Sequence, residues 1–145
     1  MKHLPKILLI IILLTSCGAK NPKIVSTSTN PTTKSSDHTP FFDISEYSDN
    51  EAYGLSGDHP VMVGDMSVAN QRRYLASLSG PNGEEISFRR RGACCSYKSK
   101  NSSFGSSLVD VYEVLYDGLK NPILVYISFY DKETLYIPKG FTKRM

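Results

Sequence analysis

The chain has 145 residues, a formal net charge of +3 and three cysteines. Residues 41–145 hold 12 basic and 13 acidic side chains, so the basic excess lies in the first 40 residues and the rest lacks the basic field that nucleic acid demands. That stretch is one domain by length. With a single histidine, His59, and two cysteines, it is too poor in ligands for a zinc site of three or four.

The first predicted element is an export signal. Lys2 and Lys6 precede Ile7–Leu14, an unbroken apolar run. It is too short for a membrane span of about 20 apolar residues and suits the core of a secretory signal, about 7–15 residues long. The run closes in Leu14-Thr15-Ser16-Cys17, which resembles the lipobox of bacterial lipoproteins. That resemblance implies removal of residues 1–16, a diacylglycerol on the Cys17 sulfur and a further acyl chain such as palmitate on the new N-terminus. Two or more chains anchor stably where one binds only marginally. The alternative is an ordinary signal peptide with a chance cysteine at the cut.

Residues 17–40 are expected to be the lipidated cysteine and a disordered tether. They are mostly Ser, Thr, Asn, Pro and Lys, with Ile24 and Val25 as the only bulky apolar pair. Such a segment cannot bury enough surface to offset its ordering entropy. No acidic cluster follows Cys17, which places the expected location on the periplasmic face of the outer membrane.

The domain, 41–145, opens with six acidic residues and no basic ones between residues 43 and 65, followed by a mainly basic stretch from Arg72 to Lys100. The two are expected to neutralise each other. Asp49, Glu51 and Asp58 lack the spacing of a calcium loop. A helix is predicted from Ser67, its N-cap, to Gly80, its C′ residue. Val68, Gln71, Tyr74, Leu75 and Leu78 share its apolar face, and Asn70, Arg72 and Arg73 point to water. Leu75 and Leu78 are expected to pack on the strands around Val111 and Val125.

After a turn at 80–84, which holds Glu84 beside Glu85, residues 85–91 alternate as a strand with Ile86 and Phe88 on one face. Gly92 suggests a bulge at its end, and 96–107 reads as a polar loop. The strongest strands are 108–116 and 123–130, rich in β-branched and aromatic residues and joined by a short connection that suits an antiparallel hairpin. Residues 135–138 form a last edge piece ended by Pro138. The fold class is therefore α+β, with one main helix packed on a three- or four-stranded antiparallel sheet.

An odd cysteine count in an exported chain wants an explanation. With Cys17 acylated, Cys94 and Cys95 remain as a candidate redox pair. Adjacent Cα atoms sit about 3.8 Å apart, against the 4.4–6.8 Å or so that disulfides prefer. The favoured reading is therefore two small, structural, unequal thiols, one facing the helix-covered core. A vicinal disulfide or a nucleophile lowered in pKa by the nearby arginines and lysines is the alternative.

"QRRYL…GPNGE", "RRGACCSYK", "LVDVYEVLYDGL", "YISFYD" and "IPKGF" together resemble a group of small envelope lipoproteins from Gram-negative bacteria, over most of residues 53–142. No catalytic residue comes with that resemblance. Relatives sometimes carry the label of a 2-dehydro-3-deoxyphosphooctonate aldolase. That enzyme is an α/β barrel of about 200 residues or more, which a domain half that size without strand–helix alternation does not build.

Among single residues, Asp110 shares a strand face with Tyr112, Val114 and Tyr116, opposite to Glu113, and calls for a partner such as Arg90 or Arg91. Tyr112, Tyr116, Tyr126, Phe129 and Tyr130 read as core and sheet face before they read as a carbohydrate platform. No cofactor, metal site or catalytic group is expected, and no nucleic acid. The reading is a lipoprotein held to the membrane through Cys17, whose domain binds an envelope protein or glycan. The alternatives are a small thiol-dependent enzyme or redox protein using Cys94 and Cys95, and an immunity-type inhibitor of a secreted toxin or lytic enzyme.

Overall fold

The computed structural model describes residues 33–34 and 40–145. The expected signal peptide, Cys17 and most of the expected tether lie outside the described residues. In chain order the elements are β1 (Thr33–Lys34), β2 (Val61–Met62), α1 (Val68–Leu75), β3 (Leu78–Ser79), β4 (Ile86–Lys98), β5 (Ser106–Tyr116), β6 (Ile123–Ser128) and β7 (Thr142–Lys143).

The Val-, Ile- and Tyr-rich runs of β5 and β6 pair antiparallel, with Val111 opposite Tyr126 and Glu113 opposite Leu124. β4 returns along the other side of β5, from Ile86 opposite Tyr116 to Lys98 opposite Ser106. This meander is the predicted antiparallel core. It is extended at both edges, giving the order β1-β4-β5-β6-β2. Thr33 and Lys34 pair with Phe88 and Ser87, while Val61 and Met62 run parallel to Ile127 and Ser128.

The α+β assignment holds, but the fold is dominated by strand and the sheet is mixed. The fully antiparallel expectation fails at β2. Two residues are too few to show a period, and a parallel partner is announced by no local turn. β4 also outruns its predicted end. It passes through Gly92 and the cysteines to Lys98, because bulges absorb the extra residues and pairing resumes beyond them.

The helix begins as its sequence requires, with the Asn70 amide donating to Ser67 Oγ at 3.3 Å. It ends after Leu75, well short of Gly80. The reason is tertiary: Leu78 and Ser79 are taken by β7, opposite Lys143 and Thr142. The helix also sits rotated from its predicted phase. Val68 is 46% exposed and Asn70 only 5%, since the Asn70 side-chain Nδ2 donates to the Val63 carbonyl and to Asp65 Oδ2 at 3.3 and 3.2 Å.

Tyr74, Leu75 and Leu78 are fully buried with Phe88, Tyr112, Val114, Val125 and Ile127. Val125 is thus where it was expected, whereas Val111 stands on the other side of the sheet. Ile44, Ile137 and Phe141 join the same cluster from irregular chain, so α1 covers only part of this face. Residues 135–138 make no edge strand; Ile137 forms a single parallel bridge to Tyr47.

Half of the six acidic residues between 43 and 65 pair with lysines, and these lie outside the basic stretch from Arg72 to Lys100. Asp43 pairs with Lys143 at 2.8 Å and Asp65 with Lys132 at 3.1 Å, and Glu51 pairs with Lys139. These pairs are exposed, where water and salt screen them, so they add little to stability.

Candidate functional site

Because successive strand residues face opposite ways, Val111 on β5 and Leu124 and Tyr126 on β6 lie on the sheet face turned away from Tyr112 and Val125. β4 reaches this second face through two irregularities. Arg91 is an extra residue between the pairs Arg90–Tyr112 and Gly92–Val111. Cys94 and Cys95 then occupy the gap between Ala93–Asp110 and Ser96–Leu108, where β5 supplies only Val109. The bulge inferred at Gly92 is therefore real, and a second one follows it.

At the second bulge Cys94 and Cys95 are joined by a disulfide, with Cα atoms 3.8 Å apart. The expectation of two free thiols, one in the helix-covered core, is corrected on both counts: Cys94 is half-buried and Cys95 exposed. A regular strand would have sent the two side chains to opposite faces. Two residues set against one lose that strict alternation, and the sulfurs can meet.

The bonded pair edges a groove of about 530 Å³. Val111, Leu124, Tyr126 and Gly92 line it, with Arg91 and Asp58 at its rim. The turn carrying Asp58 is anchored at β6, where the Tyr126 amide donates to the Gly54 carbonyl at 2.8 Å. It closes on itself through the Gly54 amide and the His59 carbonyl at 2.7 Å. From there it spans the width of β5 to the β4 bulge. Gly57 lies so close to the disulfide that a Cβ there would overlap Cys95 Sγ and sit 3.8 Å from Cys94 Sγ.

On the helix side, Asp110 is buried as a middle link of a polar chain. Its carboxylate accepts from Arg90 Nη2 at 2.7 Å and from Gln71 Nε2 at 2.8 Å. Gln71 Oε1 in turn accepts from the Tyr112 hydroxyl at 2.9 Å. Of the two partners expected for Asp110, the structure selects Arg90. The hydrogen bond to Asp110 raises the Arg90 pKa further. Burial, and then the Asp110 charge, pushes the Tyr112 phenol up to about 12. Both shifts lead away from neutrality, so these two groups gain nothing as acids or bases, and the chain is a structural tie.

The other singled-out residues are dispersed. Glu113 faces the groove side, paired with Arg89 and 3.8 Å from Arg91. Glu84 is held by the Asn82 amide and side chain at 2.9 and 2.8 Å, which lower its pKa. His59, Asp49 and Asp58 are exposed. Phe129 stacks on Tyr130 at 4.7 Å between centroids, so of the five aromatic residues only Tyr126 lines the groove. Among the described residues no group of three or more His, Cys, Asp or Glu is placed to hold a metal ion.

Two other hollows are less organised. One, of about 410 Å³, sets Lys98, Lys100 and Lys132 against Asp131 and Glu133. The other, of about 290 Å³, lies on the helix side between Val68, Leu108 and Phe129.

Reading the sequence missed Gly57, Asp58, Val111 and Leu124. The available signal was in β5, where Val109 and Val111 are as apolar as Tyr112 and Val114 on the opposite parity. A strand apolar on both faces has something over both.

No family model, no curated protein and no solved structure matches the chain. Among the described residues no helix is long and apolar enough to cross a membrane.

Proposed function

We propose that this chain is a lipoprotein of the bacterial envelope, anchored through Cys17 at the periplasmic face of the outer membrane, and that its domain binds another envelope component in the groove beside Cys94 and Cys95. The lipobox-like end of the apolar run and the polar segment behind it support the anchor. The groove carries the binding reading. It has an apolar floor of Val111, Leu124 and Tyr126 with one cation and one anion at its rim, which is the make-up of a recognition site. The partner is an envelope protein or glycan.

The test is crosslinking and capture from detergent-solubilised membranes with the full-length chain as bait. Leu124→Asp and Tyr126→Ala should each lose the partner that the parent protein captures. If both variants retain it, the groove is not the binding site.

The disulfide favours a second reading, thiol–disulfide exchange, because Cys95 is exposed and Arg91 lines the same groove. That reading expects Cys94→Ser and Cys95→Ser each to abolish reaction with thiols.

A further inference from the structure

We propose that the Cys94–Cys95 disulfide is an exchange site for a dithiol, and that its reduction unseats the Gly54–His59 turn and widens the groove. The proposal rests on the exchange reading of the pair and adds its consequence for the neighbouring site.

Two observations bear on the chemistry. Neither cysteine is fully buried, Cys95 being exposed and Cys94 half-buried, so the pair is open to an incoming thiolate. Arg91 lines the same groove with its side chain 61% exposed, though Glu113 at 3.8 Å offsets part of its charge.

The exchange then runs in two displacements. A thiolate of the dithiol attacks one sulfur of the pair, the Cys94–Cys95 bond breaks, and the other cysteine leaves as a thiolate that takes up a proton. The second thiol of the partner gives up its proton and attacks the partner's own sulfur in the mixed disulfide, releasing the remaining cysteine thiolate, which is protonated in turn. Two electrons and two protons pass from the dithiol to the pair, and the partner departs as a disulfide.

The structural consequence follows from Gly57. This residue meets β4 at the disulfide itself, with no room for even a methyl group between them. No hydrogen bond among the described residues ties Leu55–Asp58 to that strand; the turn is held by bonds to itself and, at Gly54, to Tyr126. Once the covalent bond is gone, the sulfurs move apart towards ordinary contact, which for heavy atoms is about 3.5–4.0 Å. Cys95 Sγ has Gly57 in its way. The turn shifts, and the space over Val111 and Tyr126 grows.

The experiment uses the oxidised full-length chain in detergent, with dithiothreitol as the dithiol. Peptide masses follow the cysteine pair, and hydrogen exchange follows residues 52–60. The expected result is a gain of two hydrogens in the peptide holding Cys94 and Cys95, together with about tenfold or more faster exchange at Gly54 and His59 as their local bonds open. Failure of native protein to be reduced removes the exchange site. Reduction with unchanged exchange in the turn removes the release and leaves the exchange reading standing.

A Gly57→Ala variant keeps both cysteines and should show the fast turn with the disulfide still intact. If its turn exchanges as slowly as the parent's, the contact does not hold the turn and the proposal falls. Neither readout requires the groove's partner, so loss of capture by Leu124→Asp is judged separately.

Discussion

Gln71 of α1 and Asp110 of β5, 39 residues apart in sequence, meet at 2.8 Å and tie the helix to the sheet through one buried amide. Gln71 uses both ends of that amide. It donates to Asp110 and to the Ile127 carbonyl and accepts from the Tyr112 hydroxyl. The residue thus closes a polar chain that begins at the Arg90 guanidinium, inside a cluster otherwise made of Leu, Val, Ile and aromatic side chains.

Gln71→Ala should therefore be severe for a single helix position. It leaves the Tyr112 hydroxyl without its partner and Asp110 one donor short, in addition to the cavity. The expected loss is roughly 2–4 kcal/mol, read as a lower urea midpoint. Arg72→Ala, one residue along and exposed, should stay within about 0.5 kcal/mol. Equal effects from the two substitutions would refute this account of the helix.

Alkaline stability should report the Tyr112 site. Its folded pKa of about 12 stands above the ordinary 10. Below pH 10 both folded and unfolded phenols keep their protons, and the contribution is complete. Between pH 10 and 12 the unfolded phenol ionises while the folded one does not. Stability then falls with rising pH, by at most about 1.4 kcal/mol per pH unit for each such group. Tyr53 and Tyr74, also raised by burial, act in the same direction. Tyr112→Phe should make the fall shallower, as measured by chemical denaturation across this range.

Leu78 is fully buried, and Leu78→Ala should cost about 2–5 kcal/mol. Its backbone belongs to β3, not to the helix. Removing residues 142–145, which deletes β7, should therefore destabilise the same region with no side chain of the cluster altered. If the truncated chain melts with the parent, the β3–β7 pairing contributes nothing to stability.

For the proposed anchor, the expected outcome is partition of the parent protein into detergent and of Cys17→Ser into the aqueous phase or an uncleaved form. Mass spectrometry of the mature N-terminus decides. An unmodified Cys17 sulfur there ends the lipoprotein reading.

Local chemistry made much of this molecule legible. The Ser67 cap and the hairpin of β5 and β6 follow from residue type and strand parity, which also call for an arginine beside Asp110 without choosing between Arg90 and Arg91. What escaped depends on distant partners. Leu78 looks helical until Lys143 is placed beside it, and Val61 reveals no strand until Ile127 does the same. Asn70 reads as a solvent residue because nothing nearby in sequence announces the Val63 carbonyl waiting for it. The cysteines were misread for a related reason. Strand alternation argues against their meeting, and beyond the bulge at Gly92 no residue announces the second one that suspends it.

The pairings that close the fold join its beginning to its end: Tyr47 with Ile137, Val61 with Ile127, and Leu78 with Lys143. A ribosome makes the early member of each pair long before the late one. Until Thr142 and Lys143 arrive, β3 has no neighbour and the cluster around Leu78 stays open, and contacts so far apart in sequence form slowly once their partners exist. A nascent chain without those late residues leaves these edges unpaired. If the chain is exported as proposed, these edges stay unpaired until the residues that complete them have crossed.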